Sequence, residues 1–302
     1  MIMIIGAGLS GLLAANMLHH RTPEVIEKQA ALPNNHSAVL RFRSTVVGDV
    51  TNIQFKKVKM IKTSIIWKNP VADALSYANK VGGILRSDRS ITNPNDDGTR
   101  YIAPPDLINQ LAAHVSIRFN TDGMNHLQTK LPIISTMPMP ILMRTLNYPH
   151  MNDLTFNYHH GTNIHATIDR CDAYVSLMFP NPSIPISRAT ITGDQLIIEG
   201  PVGLSTDDAV ACALEHFGIS INRVSDISVH DQQYAKINQL FDDDARREFI
   251  FWATNEFNIY SLGRFATWRP GLLLDDLVQD IRLIDKWVAK RDRYSLKQRR
   301  AS

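Results

Sequence analysis

Residues 1–18 read MIMIIGAGLSGLLAANML, with glycines at Gly6, Gly8 and Gly11. Five apolar residues, a G-x-G-x-x-G loop and an apolar helical run follow one another without a break. This predicts a buried parallel strand, a tight turn and a helix that opens at Ser10. A second short strand is read in PEVIEKQ, residues 23–29, and it ends in charge. Glu27 lies 21 residues after Gly6, close to the spacing of about 20 at which an acidic residue meets a ribose. Each residue type has a physical reason. Gly6 permits the turn, Gly8 lets backbone approach a pyrophosphate, and Gly11 permits close helix–strand packing. The helix start offers N–H groups and a partial positive charge to phosphate. Glu27 accepts from ribose hydroxyls and repels a 2′-phosphate, which argues against NADP. Lys28 beside it is counted with the cofactor-binding residues. The loop alone does not separate NAD from FAD.

The whole chain sets the frame for this unit. It has 302 residues, 44% hydrophobic and 20% charged, as expected of a globular protein with one large domain or two interleaved ones. Its apolar runs fall well short of the roughly 20 residues that cross a bilayer. Five residues before the first glycine leave no room for a signal peptide, so the expectation is a cytoplasmic protein without membrane association. Cys171 and Cys212 make no disulfide framework and are expected to be free, buried thiols in a reducing compartment. The stretch KRDRYSLKQRRAS, residues 290–302, carries six Lys or Arg against one Asp. That net +5 leaves −2 for the rest of a chain whose total is +3. Such a tail is a solvated terminus or a contact for DNA phosphates.

Further along, NPVADALSYANKVGG predicts a helix capped by Asn69, with Pro70 in its first turn and glycines at its end. PPDLINQLAAHV predicts another. NIQFKKVKMIKTSIIW is read as extended, and SDRSITNPNDDGTR as a polar surface turn. TFNYHHGTNIHATI, DAYVSLMFP and PISRATITGDQLIIEG carry the alternation and β-branching of an antiparallel sheet. STDDAVACALEHFG predicts a helix between Ser205 or Thr206 and Gly218. EFIFWAT and FNIYSLGRF are read as late strands, and residues 271–294 as a long amphipathic helix. The expected fold is α/β: a Rossmann-like domain holding an inserted antiparallel-sheet substrate domain. The dinucleotide domain is assigned to residues 1–50, 100–145 and 236–302, and the substrate domain to 51–99 and 146–235.

IIGAGLSGLLAA with Glu27 resembles the start of the glutathione-reductase-type FAD proteins, a group that includes amine oxidases and UDP-galactopyranose mutases. The resemblance implies FAD as cofactor. It implies that an arginine in HSAVLRFRS, Arg41 or Arg43, reaches the FAD phosphates. NIYSLGRFATWRPGLLLDDLVQDI is similar to the segment that returns to the flavin in those proteins. Gly263, Arg264, Trp268 and Leu274, where the last helix opens, are therefore assigned to the cofactor. A buried arginine needs anionic partners, and a pyrophosphate is a strong one. Trp268 is the candidate for stacking on flavin or substrate. IISTMPMP resembles the strand and loop at which such chains rejoin the FAD domain.

The paired segments YVSLMFPNPSIPISRATITGDQLIIEG and IYSLGRFATWRPGLLLDDLVQDI also resemble bacteriophage FAD enzymes of thymine hypermodification. That resemblance implies oxidation of a C–N bond in an amine of the amino-acid kind, such as glycyl-modified thymine in DNA. The products would be 5-aminomethyl-uracil and glyoxylate, with flavin as hydride acceptor and dioxygen as reoxidant. Arg188 is the candidate for the substrate carboxylate, and His160 for a proton carrier or base-stacking surface. If the strand is regular, His159 and His160 face opposite sides. Their spacing to His165 matches no metal signature, and no metal is expected. Two alternatives stand beside this reading: a flavin-dependent nucleotide-sugar mutase and a non-catalytic dinucleotide-binding protein. Mutase-like relatives place a Tyr before the Arg of this strand. Ser187 stands there instead.

Overall fold

A computed structural model of the chain describes residues 1–32, 40–85, 98–238 and 243–301, with side chains as far as residue 292. The strands are β1 (Ile2–Ile5), β2 (Pro23–Ile26), β3 (Arg41–Phe42), β4 (Lys56–Lys59), β5 (Ile61–Ser64), β6 (Thr99–Ile102) and β7 (Ser116–Arg118). They continue with β8 (Ile133–Ser135), β9 (Tyr158–Ile168), β10 (Ala173–Met178), β11 (Arg188–Gly193), β12 (Gln195–Gly200), β13 (Val224–Ile237) and β14 (Ile259–Ser261). The α-helices are α1 (Leu9–Met17), α2 (Val46–Thr51), α3 (Pro70–Gly82), α4 (Leu107–Ala112) and α5 (Met139–Thr145). They end with α6 (Thr206–Phe217), α7 (Asp243–Phe257) and α8 (Leu274–Ala301).

Five strands form a parallel sheet in the order β14-β8-β1-β2-β7. Both of its faces are covered, so its central strand β1 is apolar throughout rather than alternating. Ile2 and Ile4 point into a core with α1, α4 and α8, through Leu12, Leu13, Leu107, Leu111, Leu277 and Ile281. Met3 and Ile5 point the other way, into a core with α5 and α7 that holds Leu142, Met143, Phe249 and Trp268. Val25 and Ile26, and Ile134 and Ile133, divide between the two cores in the same way. Because β14 lies beside β8 and β8 beside β1, the chain's last strand ends next to its first glycines.

The second large sheet is mixed, in the order β13-β9-β12-β11-β10-β5. All of its pairings are antiparallel except β10 with β5. One face packs on α6: Ile164, Ala166, Ala189, Ile191 and Ile198 meet Ala209, Val210, Ala213 and Leu214. The opposite face carries polar residues such as Asn163, Arg188 and Glu199, and it looks toward the parallel-sheet domain. A small antiparallel sheet, β3-β6-β4, lies beside them. The fold class is thus the α/β arrangement expected from sequence, with a mixed rather than purely antiparallel second sheet.

Several helices end as expected. Asn69 Oδ1 accepts from the Ala72 N–H at 2.9 Å, and Gly83 closes the same helix at φ 64°. Ser205 caps α6, and Gly218 closes it at φ 66°. Other readings need correction. EFIFWAT lies inside α7 and is not a strand. Phe249 and Ala253 fall four residues apart on one buried stripe while Phe251 stays exposed, and Asp243 and Asp244 occupy the first turn. The 14-residue edge strand β13 was not anticipated at all, because its exposed polar residues hide the alternation. SDRSITNPNDDGTR lies mostly outside the described residues, as do the tail's side chains beyond residue 292. Cys171 and Cys212 are free and half-buried rather than buried. Among the described residues, no helix is long and apolar enough to cross a membrane.

Candidate functional site

The glycine loop is built by close approach. Gly6 has φ +98°, and a Cβ there would lie 2.2 Å from Thr136 Oγ1. The Thr136 hydroxyl donates to the Ile5 carbonyl at 2.8 Å, so IISTMPMP folds directly against the turn. A Cβ on Gly11 would lie 2.0 Å from the Gly6 carbonyl oxygen, which is the helix–strand approach expected of the third glycine. Gly8 differs. It is the N-cap of α1 with extended backbone and no side-chain cap, and a Cβ there would have nothing within 4 Å. Its glycine is therefore not required by the protein's own packing. It leaves a clear approach to the helix N-terminus, as a pyrophosphate needs. Glu27 accepts from the Ala7 N–H at 2.7 Å and the Gln29 N–H at 2.9 Å. A carboxylate has about four acceptor positions, so two remain for ribose hydroxyls.

The far end of the chain joins this loop. Leu262 N–H donates to the Ser135 carbonyl at 2.9 Å. Gly263 then takes φ +99°, and a Cβ there would stand 2.7 Å from Ser10 Oγ. A larger residue would separate the first helix from the last strand. Ser10, Arg264 and Leu274 together line one wall of a cleft of about 990 Å³, at the upper end of the range for cofactor sites. Arg41 lines it from β3. Burial, with Arg188 nearby, pulls the Arg41 guanidinium down to about 10, so it remains a cation at neutral pH. The open approach at Gly8, the spare acceptor positions on Glu27 and the cations Arg41 and Arg264 fit an FAD molecule. These residues would hold its ribose and phosphates.

The opposite wall is the polar face of the six-stranded sheet. Arg188 donates to Glu199 Oε1, and Lys236 Nζ donates to Glu199 Oε2 at 3.1 Å. Strand pairing sets this network, because Arg188 is directly opposite Glu199 and Glu199 opposite Asn163. Burial opposes the Glu199 charge, but Arg188 and Lys236 outweigh it and hold the carboxyl well below the usual range. Burial also opposes the Arg188 charge, and Glu199 more than offsets it. Arg188 Nε is buried without a hydrogen-bond partner. Ser187 donates to the Glu199 carbonyl at 2.9 Å, so this position carries a short hydroxyl tied to backbone and no phenol.

The cleft rim between β10 and β11 is organised by a residue that sequence reasoning missed. Lys80, on α3, points its ammonium at the carbonyls of Phe179, Asn181, Ile184 and Ile186, at 3.0, 3.0, 2.7 and 2.7 Å. Burial pushes this ammonium down to about 8, which keeps it charged at neutral pH. Pro182, Ile184 and Pro185 of the same loop line the cleft. Glu199 and Lys236 were missed as well. The available signal for Glu199 was a lone carboxylate in LIIEG, an otherwise apolar strand.

The remaining candidates separate. Both His159 and His160 line the cleft, because the β9–β13 pairing is irregular between Gln232 and Lys236. His160 is exposed and packs on Tyr158. His165 lies deeper in the sheet, its ring against His230. Trp268 does not reach the cleft. It is 1% exposed and donates from Nε1 to the Asn238 carbonyl at 3.0 Å. Its indole instead backs Tyr234, a cleft residue, at 6.0 Å. Arg43 is exposed, with its backbone N–H on Asp275, and does not line the cleft. Lys28 pairs with Asp122 at 3.2 Å on the surface. Among the described residues, no group of His, Cys, Asp and Glu is placed to hold a metal.

No protein-family model and no curated protein sequence matches this chain. Its fold is shared by solved structures. Reduced UDP-galactopyranose mutase superposes with a TM-score of 0.68 at 14% identity, over 95% of this chain and 93% of that one. A protein provisionally assigned as a protoporphyrinogen oxidase, from Exiguobacterium sp. 255-15, gives 0.64 at 12% identity, over 96% and 98%. A flavoprotein/dehydrogenase from Cytophaga hutchinsonii gives 0.53 at 10% identity, over 96% and 79%. At these identities the likeness shows the fold: the chain is folded as these three structures are.

Proposed function

We propose that this protein is an FAD-dependent oxidoreductase that oxidises a C–N bond of an amine carrying a carboxylate. The observation behind this reading is a single cleft with two unlike walls. One wall holds the helix start at Ser10 together with Arg264; the other holds Arg188, Glu199 and Lys236. FAD, when bound, supplies a two-electron hydride acceptor. The protein supplies placement. Arg188 and Lys236 receive the substrate carboxylate. Tyr234 and Phe265 give apolar surface beside them, and the Lys80-bound loop shields the cleft from water. His160, at the exposed rim, can carry a proton to solvent. The net change is oxidation of the amine to an imine and its hydrolysis to a primary amine and an aldehyde acid.

Glycyl-modified thymine in DNA belongs to this substrate class, and the basic tail would be its phosphate contact. A mutase reading has the fold likeness in its favour, but Ser187 leaves the cleft without the tyrosine of that pattern. The test is anaerobic mixing of FAD-loaded protein with N-alkylglycines, glycyl-modified thymidine and DNA containing it. The expected result is bleaching of the flavin under nitrogen and recovery of colour in air. A mutase would keep its colour with every amine and turn over a nucleotide sugar only after external reduction. A binding protein would take up FAD and do neither.

A further inference from the structure

Two cations in the cleft share one carboxylate. Glu199 takes Arg188 on one oxygen and Lys236 on the other. The three side chains come from β11, β12 and β13, and all three line the cleft. We propose that Glu199 sets the charge of the substrate, limiting the site beside Arg188 and Lys236 to an anion of charge −1. This rests on the reading of the cleft as a substrate site and deepens it.

The argument is electrostatic. Arg41 and Arg264 face the same network, but on the reading above they balance the two charges of the FAD diphosphate; Arg188, Lys236 and Glu199 then sum to one positive charge. A monoanion cancels that charge. A dianion leaves one negative charge in a largely desolvated site next to Glu199, where charge is costly. The network has capacity for such a ligand, since Arg188 Nε is buried without a hydrogen-bond partner. Lys236 shows how crowded with positive charge the region is. Glu199 favours its protonated form, yet burial with Arg188 and Arg264 outweighs that pull and lowers it below the ordinary lysine value. Removing the Glu199 charge would turn the site into a pocket of two adjacent cations, which a dianion neutralises.

Benzoate and phthalate test this, since they share a ring and differ by one carboxylate. Both are titrated calorimetrically into FAD-loaded protein at pH 7.5 and fixed ionic strength. The wild type is expected to prefer benzoate. Glu199→Gln should shift the phthalate-to-benzoate affinity ratio toward phthalate by about tenfold or more. Lys236→Met serves if Glu199→Gln does not fold. It should weaken benzoate by about tenfold with no gain for phthalate. FAD uptake with an unchanged ratio in Glu199→Gln, or unchanged benzoate binding in Lys236→Met, overturns the proposal and leaves the flavoenzyme reading standing. Failure of the wild type to take up FAD overturns that reading, and the proposal with it.

Discussion

The two walls of the cleft are made in different ways. The wall proposed for the dinucleotide is set by backbone: behind Ser10 and Arg264, Gly6, Gly11 and Gly263 are glycines because carbonyls and small side chains of neighbouring segments come too close for a Cβ. The wall proposed for the substrate is built from side-chain charge, with Arg188, Glu199 and Lys236 converging from three strands. A wall of the first kind tolerates little change in shape. A wall of the second kind tolerates little change in charge. Mutations should therefore divide by region, steric on one side and electrostatic on the other.

The largest effect is expected at the charge wall. Glu199→Gln leaves Arg188 and Lys236 without their shared carboxylate and should cost about 3–5 kcal/mol in urea unfolding. The pH dependence has a definite sign. The folded-state pKa of Glu199 is depressed, so its contribution is fully present above about pH 4.5 and is lost as pH falls below that. The stability gap between wild type and Glu199→Gln should narrow in that acid range. Parallel curves would break the electrostatic half of the comparison. Next comes Lys80→Met, which removes the charged donor from four carbonyls and should cost about 1.5–3 kcal/mol. Enhanced proteolysis confined to residues 179–187 would sharpen the assignment.

Gly11→Ala tests the steric wall. Its new methyl must displace the Gly6 carbonyl, at about 1–3 kcal/mol, and FAD affinity should fall with stability. The smallest effect belongs to Lys28→Ala. The pair with Asp122 is on the surface, and the change in stability should stay within about 0.2–1 kcal/mol.

The same contrast explains what could be read from sequence. A backbone-built wall leaves local signatures, because the contacts that demand glycine recur at fixed spacing around one turn. Gly6 and Gly11 were legible for that reason, and the Asn69 cap on α3 was legible from an equally local signal. A charge-built wall leaves none. Arg188 was singled out by resemblance, but its partner in LIIEG and Lys236 in YAKIN come together only through strand pairing. EFIFWAT was misread because a short apolar run fits a strand and a buried helical stripe equally well. The acidic first turn at Asp243 and Asp244 was the better guide. Trp268 was placed at the flavin by its neighbours in sequence, whereas its indole turns into the core and meets the cleft only through Tyr234.

Gly8 separates ligand from packing at a single atom. Its backbone is extended and a Cβ there meets no protein atom within 4 Å, so Gly8→Ala should leave unfolding stability unchanged or raised by about 0.4–1 kcal/mol. The direct measurement is FAD titration of wild type and Gly8→Ala, read by flavin fluorescence. The account predicts stoichiometric binding by the wild type and affinity at least about tenfold weaker in the variant, with both proteins equally folded. Equal FAD affinity in the two, or no FAD binding by the wild type, would contradict it.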